Sequence, residues 1–348
     1  MSQGDADVFF MVGVSHHSAP LTIREQVTCD GARIRRLYSA LCPRDAVVEI
    51  LVLGTCNRTE IYAVGNPRSG PEAVVSALLA ETGLSPTTWD GIARIHQGEV
   101  AVLHFLEVCA GLDSQIVGET EILGQVKDAY RLGTRQGGVG SILHRVCHRA
   151  FQAAKWVRSQ TGIGSGQVSI GNVAVDLATR IFGDLRRSQV LIVGSGEVGR
   201  AVVKALHTRG AGEVRVSSRN PENALALATE VNATPVDFTQ WREHLAEVDI
   251  AVFSTSAPEF LLSRNLMRAT MDKRPGRPVF LIDVAVPRDV EASVDSLGDV
   301  FLYNMDDLAA IANENLTQRE SEIVRGKTHL RERAGRLQQE LALRGITF

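Results

Sequence analysis

An apolar run, Gln-Val-Leu-Ile-Val at 189–193, passes directly into Gly194-Ser195-Gly196-Glu197-Val198-Gly199, and a helical stretch follows. Strand, glycine turn and helix in that order leave few folds open. In a parallel β-α-β unit Gly194 makes the turn, Gly196 lets the backbone approach a pyrophosphate, and Gly199 lets helix and strand pack closely. Ser195, Glu197 and Val198 complete the same turn and enter the helix. Strand-like segments at 213–217, 248–253 and 279–284 alternate with helical stretches, which predicts a doubly wound parallel sheet of the Rossmann type. Where an NAD site carries an acidic residue, this chain has Ser217-Ser218-Arg219-Asn220. The Ser218 hydroxyl and the Arg219 guanidinium suit a 2′-phosphate, so NADPH is the expected cofactor; a solvent-facing helix start is the plainer alternative for Arg219.

The chain has 348 residues, more than one typical domain. Strands are predicted at 8–14, 46–54 and 59–65, helices at 31–41 and 71–83, and a helical block from about 99 to 160, making an N-terminal α+β domain over 1–160. Gly162, Gly164 and Gly166 alternate between helical segments and mark a hinge candidate. The nucleotide-binding domain then spans 161–303, and 304–348 forms a C-terminal region that reads as one long helix from Asp306. Leu316, Ile323, Leu330 and Leu337 recur every seven residues there, but Glu320 and Lys327 spoil the other seam position and Gly326 interrupts it. Packing against the chain's own body or a partner is expected rather than a free coiled coil.

Five cysteines without metal-type spacing argue against a disulfide framework and fit a reducing, cytoplasmic setting. No metal site is expected. The N-terminal apolar run lacks a basic flank and is too short for a signal peptide or a membrane span. The net charge is −3, yet Lys127, Arg131, Arg135, Arg145, Arg149, Lys155 and Arg158 face only Asp128 between 127 and 160. Such a stripe either receives a phosphate backbone or is a solvated helix face.

Cys56 stands apart from the other cysteines, which sit in helix-like segments. It ends an apolar strand among Thr55, Asn57, Arg58 and Glu60, where an adjacent guanidinium would stabilise the thiolate. Free cysteines are more often buried and inert. A reactive thiol with a hydride-binding domain suggests capture of an acyl group as a thioester and its reduction to an aldehyde. His104 reads as a core histidine in an amphipathic stretch, and His16-His17 as part of a turn.

Taken together, GVSHHSAP (13–20), LGTCNRTEIY (53–62), GLDSQIVGETEILGQVKDAY (111–130), VRSQTGIGSG (157–166), VGSGEVG (193–199) and LIDVAVPRDVE (281–291) resemble glutamyl-tRNA reductase. The resemblance implies that Cys56 attacks the ester of glutamyl-tRNA(Glu), releases tRNA, and holds a thioester that NADPH reduces to glutamate 1-semialdehyde, on the route to porphyrins. It implies that Thr55, Asn57, Arg58, Glu60, Ser114, Glu119, Thr120, Glu121 and Gln125 line the substrate pocket. Arg58 would then pair with the substrate side-chain carboxylate, and the acidic residues with its ammonium group. It makes His104 a proton donor or carbonyl polariser near the thiol, and gives the basic stripe at 127–160, Arg145 and Arg149 included, a part in tRNA affinity. The family hands its aldehyde to glutamate-1-semialdehyde aminomutase and assembles as a homodimer through a longer C-terminal region. Only the first helix of that region is present here, so the resemblance does not carry the dimer over. Two rivals stand beside it: a dehydrogenase of a free small molecule, and a shortened paralogue that binds glutamyl-tRNA without turnover.

Overall fold

The structure, a computed structural model, describes residues 6–42, 46–119, 121–164, 170–313 and 320–347. Strands β1 (Val8–Ser15), β2 (Val47–Gly54), β3 (Arg58–Gly65) and β4 (Arg94–Gln97) form an antiparallel sheet in the order β2-β3-β1-β4. β1 and β3 are buried along their whole length, and the near-continuous apolar run of β1 suits a strand covered on both faces. Alternation divides their side chains. Phe9, Met11, Tyr62 and Val64 join one core and Phe10, Val12, Ile61 and Ala63 the other.

Helices α1 (Leu21–Val27), α2 (Gly31–Leu41), α3 (Ser69–Thr82) and α4 (Pro86–Ile92) surround the second core. Helices α5 (Gly98–Cys109), α6 (Glu121–Arg135) and α7 (Ser141–Gln160) cover the first. The buried Glu49 carboxylate of β2 accepts the Ile142 and Leu143 amides at 3.0 and 2.6 Å. It therefore caps the amino end of α7, satisfying donors that a helix start leaves unpaired.

The second compact unit, 168–314, begins with α8 (Ile170–Phe182). Strands β5 (Val190–Gly194), β6 (Val214–Ser217), β7 (Thr234–Val236), β8 (Ile250–Ser254), β9 (Val279–Asp283) and β10 (Val300–Asn304) are all parallel, in the order β10-β9-β8-β5-β6-β7. Helices α9 (Glu197–Thr208), α10 (Pro221–Glu230), α11 (Trp241–His244), α12 (Arg264–Met271) and α13 (Met305–Asn313) complete the doubly wound unit. Strand order reverses between β5 and β8, which opens the crevice where such sheets bind ligands.

Helix α14 (Glu320–Ala342) belongs to the first unit, 1–167 with 315–348, whereas α13 belongs to the second. Among the described residues the leucine stripe packs inward. Leu330, Leu337 and Leu341 are buried in the core that α5 and α7 line. Gly326, read from sequence as an interruption, lies at the crossing, where an added Cβ would stand 3.2 Å from both Leu112 and Ile163. The seam thus runs through Gly326 instead of Lys327. Leu316 lies outside the described residues, as do Ser165 and Gly166 of the hinge candidate; Gly162–Gly164 forms a short 3₁₀ turn.

Candidate active site

Cys56 sits in a tight turn that Thr55 closes. The Thr55 amide donates to the Arg58 carbonyl at 2.8 Å, while Thr55 Oγ1 accepts the Asn57 and Arg58 amides at 3.1 Å each. Two neighbours brace the turn. The His16 amide donates to the Asn57 carbonyl at 2.9 Å, and buried Arg24 of α1 donates to Asn57 Oδ1 at 2.8 Å and to the Cys56 carbonyl at 3.4 Å. Burial and then the Glu119 carboxylate push the thiol up to about 12, with Glu121 adding to the effect and the Arg24 charge opposing it. The structure therefore brings Cys56, Glu119, Glu121 and Arg24 together.

Arg58 does not serve as the guanidinium beside the thiol. It starts β3, and because alternate residues share a face, its side chain turns inward with Glu60 and Tyr62. Its NH1 donates to Glu60 Oε1 at 2.9 Å and to Asp113 Oδ2 at 3.0 Å, and NH2 donates to the Asp113 carbonyl at 2.5 Å. Glu60 is occupied on both oxygens, by Arg58 and His104 (3.1 Å) on Oε1 and by the Tyr62 hydroxyl (2.5 Å) on Oε2. It is an internal anchor with both oxygens engaged. Burial would raise its carboxyl, but the Arg58 and His104 charges hold it down at about 2. Burial lowers His104 and Glu60 raises it, with a net upward direction. His104 Nε2 is thus engaged by a carboxylate.

Ser114 follows Asp113 in a loop that the Gly118 amide closes onto the Gly111 carbonyl at 2.8 Å. Its buried Oγ and both ring nitrogens of His16 have no hydrogen-bond partner among the described residues, an exception to the rule for buried polar groups. Burial, the neighbouring His17 and Arg58 lower His16 to about 4, so its ring is neutral near pH 7. Glu121 opens α6 and Gln125 follows four residues on, on the same helix face. Thr120 lies outside the described residues. Arg24, His16 and Asp113 were missed in the sequence because their side chains reach the turn only through the fold; the His16-His17 pair was the one visible signal.

In the second unit, Gly194 has φ 107°, a conformation that disfavours side chains. Cβ atoms at Gly194, Gly196 or Gly199 would each collide with Ser254 at the end of β8. Gly196 N–H donates to the Ser254 carbonyl at 3.1 Å, and Gly199 N–H to its Oγ at 3.3 Å. Glu197 and Val198 form the first turn of α9, whose amino end faces the turn. Ser218 Oγ reaches Ser195 Oγ at 3.4 Å, and Arg219 NH2 reaches Ser256 Oγ at 3.4 Å. This cradle, with a helix start and hydroxyls at the ends of β5 and β6, fits a dinucleotide. Among the described residues no His, Cys, Asp and Glu cluster could hold a metal, and no helix is long and apolar enough to cross a membrane.

The basic stripe divides. Arg145 and Arg149 share Glu340 of α14 at 3.0 and 2.7 Å, and Arg131 pairs with Asp128. Arg145 and Arg149 thereby tie α7 to α14.

A nicotinamide-dependent oxidoreductase is the class that this parallel sheet and cysteine-bearing turn define. The family model described as the N-terminal domain of glutamyl-tRNA(Glu) reductase matches residues 12–161, and that of shikimate/quinate 5-dehydrogenase matches 176–311. A glutamyl-tRNA reductase of Nitratidesulfovibrio vulgaris (strain Miyazaki F) is 36% identical, covering 94% of this chain and 74% of its own length. One from Nitrosococcus oceani is 38% identical, over 89% and 73%. The solved glutamyl-tRNA reductase of Methanopyrus kandleri superposes with a TM-score of 0.52 at 34% identity, covering 96% of this chain and 80% of that one. The chain belongs to the glutamyl-tRNA reductase family. It is an oxidoreductase with glutamyl-tRNA as substrate, acting at the first step of tetrapyrrole synthesis.

Proposed function

We propose that Cys56 is the nucleophile that takes the glutamyl group from the 3′ end of tRNA, and that the acyl-cysteine is reduced with NADPH to glutamate 1-semialdehyde. The thiol in its braced turn carries this reading. A sulfur near pH 7 attacks an activated ester well and leaves readily once a hemithioacetal collapses. The thiol rests protonated because its partial burial and the Glu119 and Glu121 carboxylates oppose ionisation. The substrate ammonium pairing with Glu119 would cancel the charge that opposes ionisation, and Arg24 would then favour the thiolate. Activation thereby follows substrate binding. Ser114 Oγ and the neutral His16 ring offer hydrogen bonds to the glutamyl group. Arg58 orders the pocket from within and takes a substrate carboxylate only by exchanging Asp113. His104 keeps Glu60 ionised and acts through it.

Gly194, Gly196 and Gly199 would admit the pyrophosphate, with Ser195, Ser218 and Arg219 at the adenosine end, where Arg219 suits the 2′-phosphate. Bound NADPH supplies the hydride.

Wild type incubated with glutamyl-tRNA and NADPH should give aldehyde, and without NADPH should yield an acylated Cys56 peptide and slow ester hydrolysis. Cys56→Ser should give neither aldehyde nor thioester. Equal turnover by that variant would end the proposal.

A further inference from the structure

Helices α6 and α7 border an open cleft of about 520 Å3 that no part of the chemistry above uses, lined by Leu123 and Lys127 on one side and His148, Phe151, Lys155 and Arg158 on the other. Its size lies within the range of small-ligand sites, roughly 300–1,000 Å3. Its charge is one-sided. Among the described residues Lys127, Lys155 and Arg158 form no ion pair, whereas the neighbouring Arg131, Arg145 and Arg149 all have carboxylate partners. Three cations at one cavity repel each other, and an anion with several oxygens relieves that repulsion. The aromatic content is equally specific. The Phe151 ring is half-buried, with Lys127 Nζ 5.8 Å from its centroid and the Tyr130 and His148 rings 5.9 and 6.1 Å away. A supported ring beside phosphate-binding cations is how proteins seat a nucleotide of a single strand.

We propose that this cavity is a nucleotide subsite for the acceptor strand of the tRNA substrate, with Lys127, Lys155 and Arg158 taking phosphate oxygens and Phe151 stacking on a base. The proposal rests on glutamyl-tRNA being the substrate. Position supports the strand over a free nucleotide. Lys127 follows Glu121 along α6 by about 9 Å of helix, and Glu121 lies in the electrostatic neighbourhood of Cys56. A strand whose 3′ end is delivered to the thiol passes this wall.

The test compares wild type with a Lys127→Ala/Lys155→Ala/Arg158→Ala variant, with Phe151→Leu, and with Arg186→Ala, which removes an exposed arginine paired with Asp184 in the other unit. Binding of deacylated tRNA(Glu), of a short single-stranded RNA ending in CCA, and of AMP is followed by fluorescence anisotropy from about 50 to about 200 mM salt. Loss of three phosphate contacts should make the log-log salt slope for tRNA shallower by about 2. The same variant should raise KM for glutamyl-tRNA about tenfold or more, with kcat at saturation unchanged. Phe151→Leu should weaken the short RNA about fivefold or more, with an unaltered melting temperature showing that the fold is kept. Arg186→Ala should match wild type. A triple variant with wild-type slope and KM overturns the proposal. So does tight AMP binding at the cavity with tRNA affinity indifferent to the three cations. Failure of wild type to form acyl-Cys56 would instead refute the reductase chemistry, while the binding slopes would still decide the subsite.

Discussion

Glu119→Gln removes the carboxylate that, after burial itself, does most to keep the Cys56 thiol protonated. A thiol titrating near 12 in place of 9 carries about a thousandfold less thiolate at neutral pH. A charge within a few ångströms changes a neighbour's ionisation constant by about tenfold to a thousandfold, so the substitution should raise the thiolate population at least about tenfold. Intrinsic nucleophilicity falls as the thiol becomes more acidic, with a coefficient of about 0.4–0.5, so a tenfold gain in thiolate gives only about a threefold gain in alkylation rate. The assay is iodoacetamide labelling of Cys56 against pH, read by peptide mass spectrometry. Glu119→Gln should react about three to forty times faster below the thiol's titration. Its single-turnover acylation by glutamyl-tRNA should fall, because the ammonium partner is gone. These two rates move in opposite directions, which a general loosening of the pocket would not produce. An alkylation rate equal to or below wild type would refute the electrostatic argument, and faster acylation would refute the ammonium assignment.

Arg24→Gln should act with the opposite sign on the thiol, slowing labelling of Cys56 about threefold or more at fixed pH, since its charge favours the thiolate. Arg219→Ala should weaken NADPH by about tenfold or more and leave NADH nearly unchanged in equilibrium titrations, because only the former carries the 2′-phosphate. Stability should depend on pH through the Arg58, Glu60 and His104 cluster. The depressed Glu60 contributes stability above about 4.5 that is lost as pH falls towards 2, and the raised His104 contributes below about 6.5 and loses it as pH rises through its folded value. Glu60→Gln should therefore cost about 3–5 kcal/mol in urea unfolding near pH 6, with the difference shrinking as pH approaches 2. A constant difference across that range would contradict the assignment.

The nucleotide unit was legible because its physics is local. A strand, a glycine turn and a helix are written in consecutive residues, and the sequence strands at 189–193, 213–217, 248–253 and 279–284 correspond to β5, β6, β8 and β9. The short β4 and β7 were not visible, having three or four residues and little alternation. Ser254, against which all three fingerprint glycines pack, lies far along the chain and has no motif of its own.

Sequence alone determined the glycine turn, the apolar strands that had to be covered on both faces, and a cysteine at a strand end among polar neighbours. Each follows from covalent order and side-chain periodicity. Tertiary structure decided which charges those groups meet. Period-two geometry turned Arg58 and Glu60 inward, the packing of α1 put Arg24 at Cys56, and α14 brought Glu340 to Arg145 and Arg149 while leaving Lys127, Lys155 and Arg158 without carboxylates among the described residues. Electrostatic interactions depend on distance through space and on burial, and neither is fixed by separation along the chain.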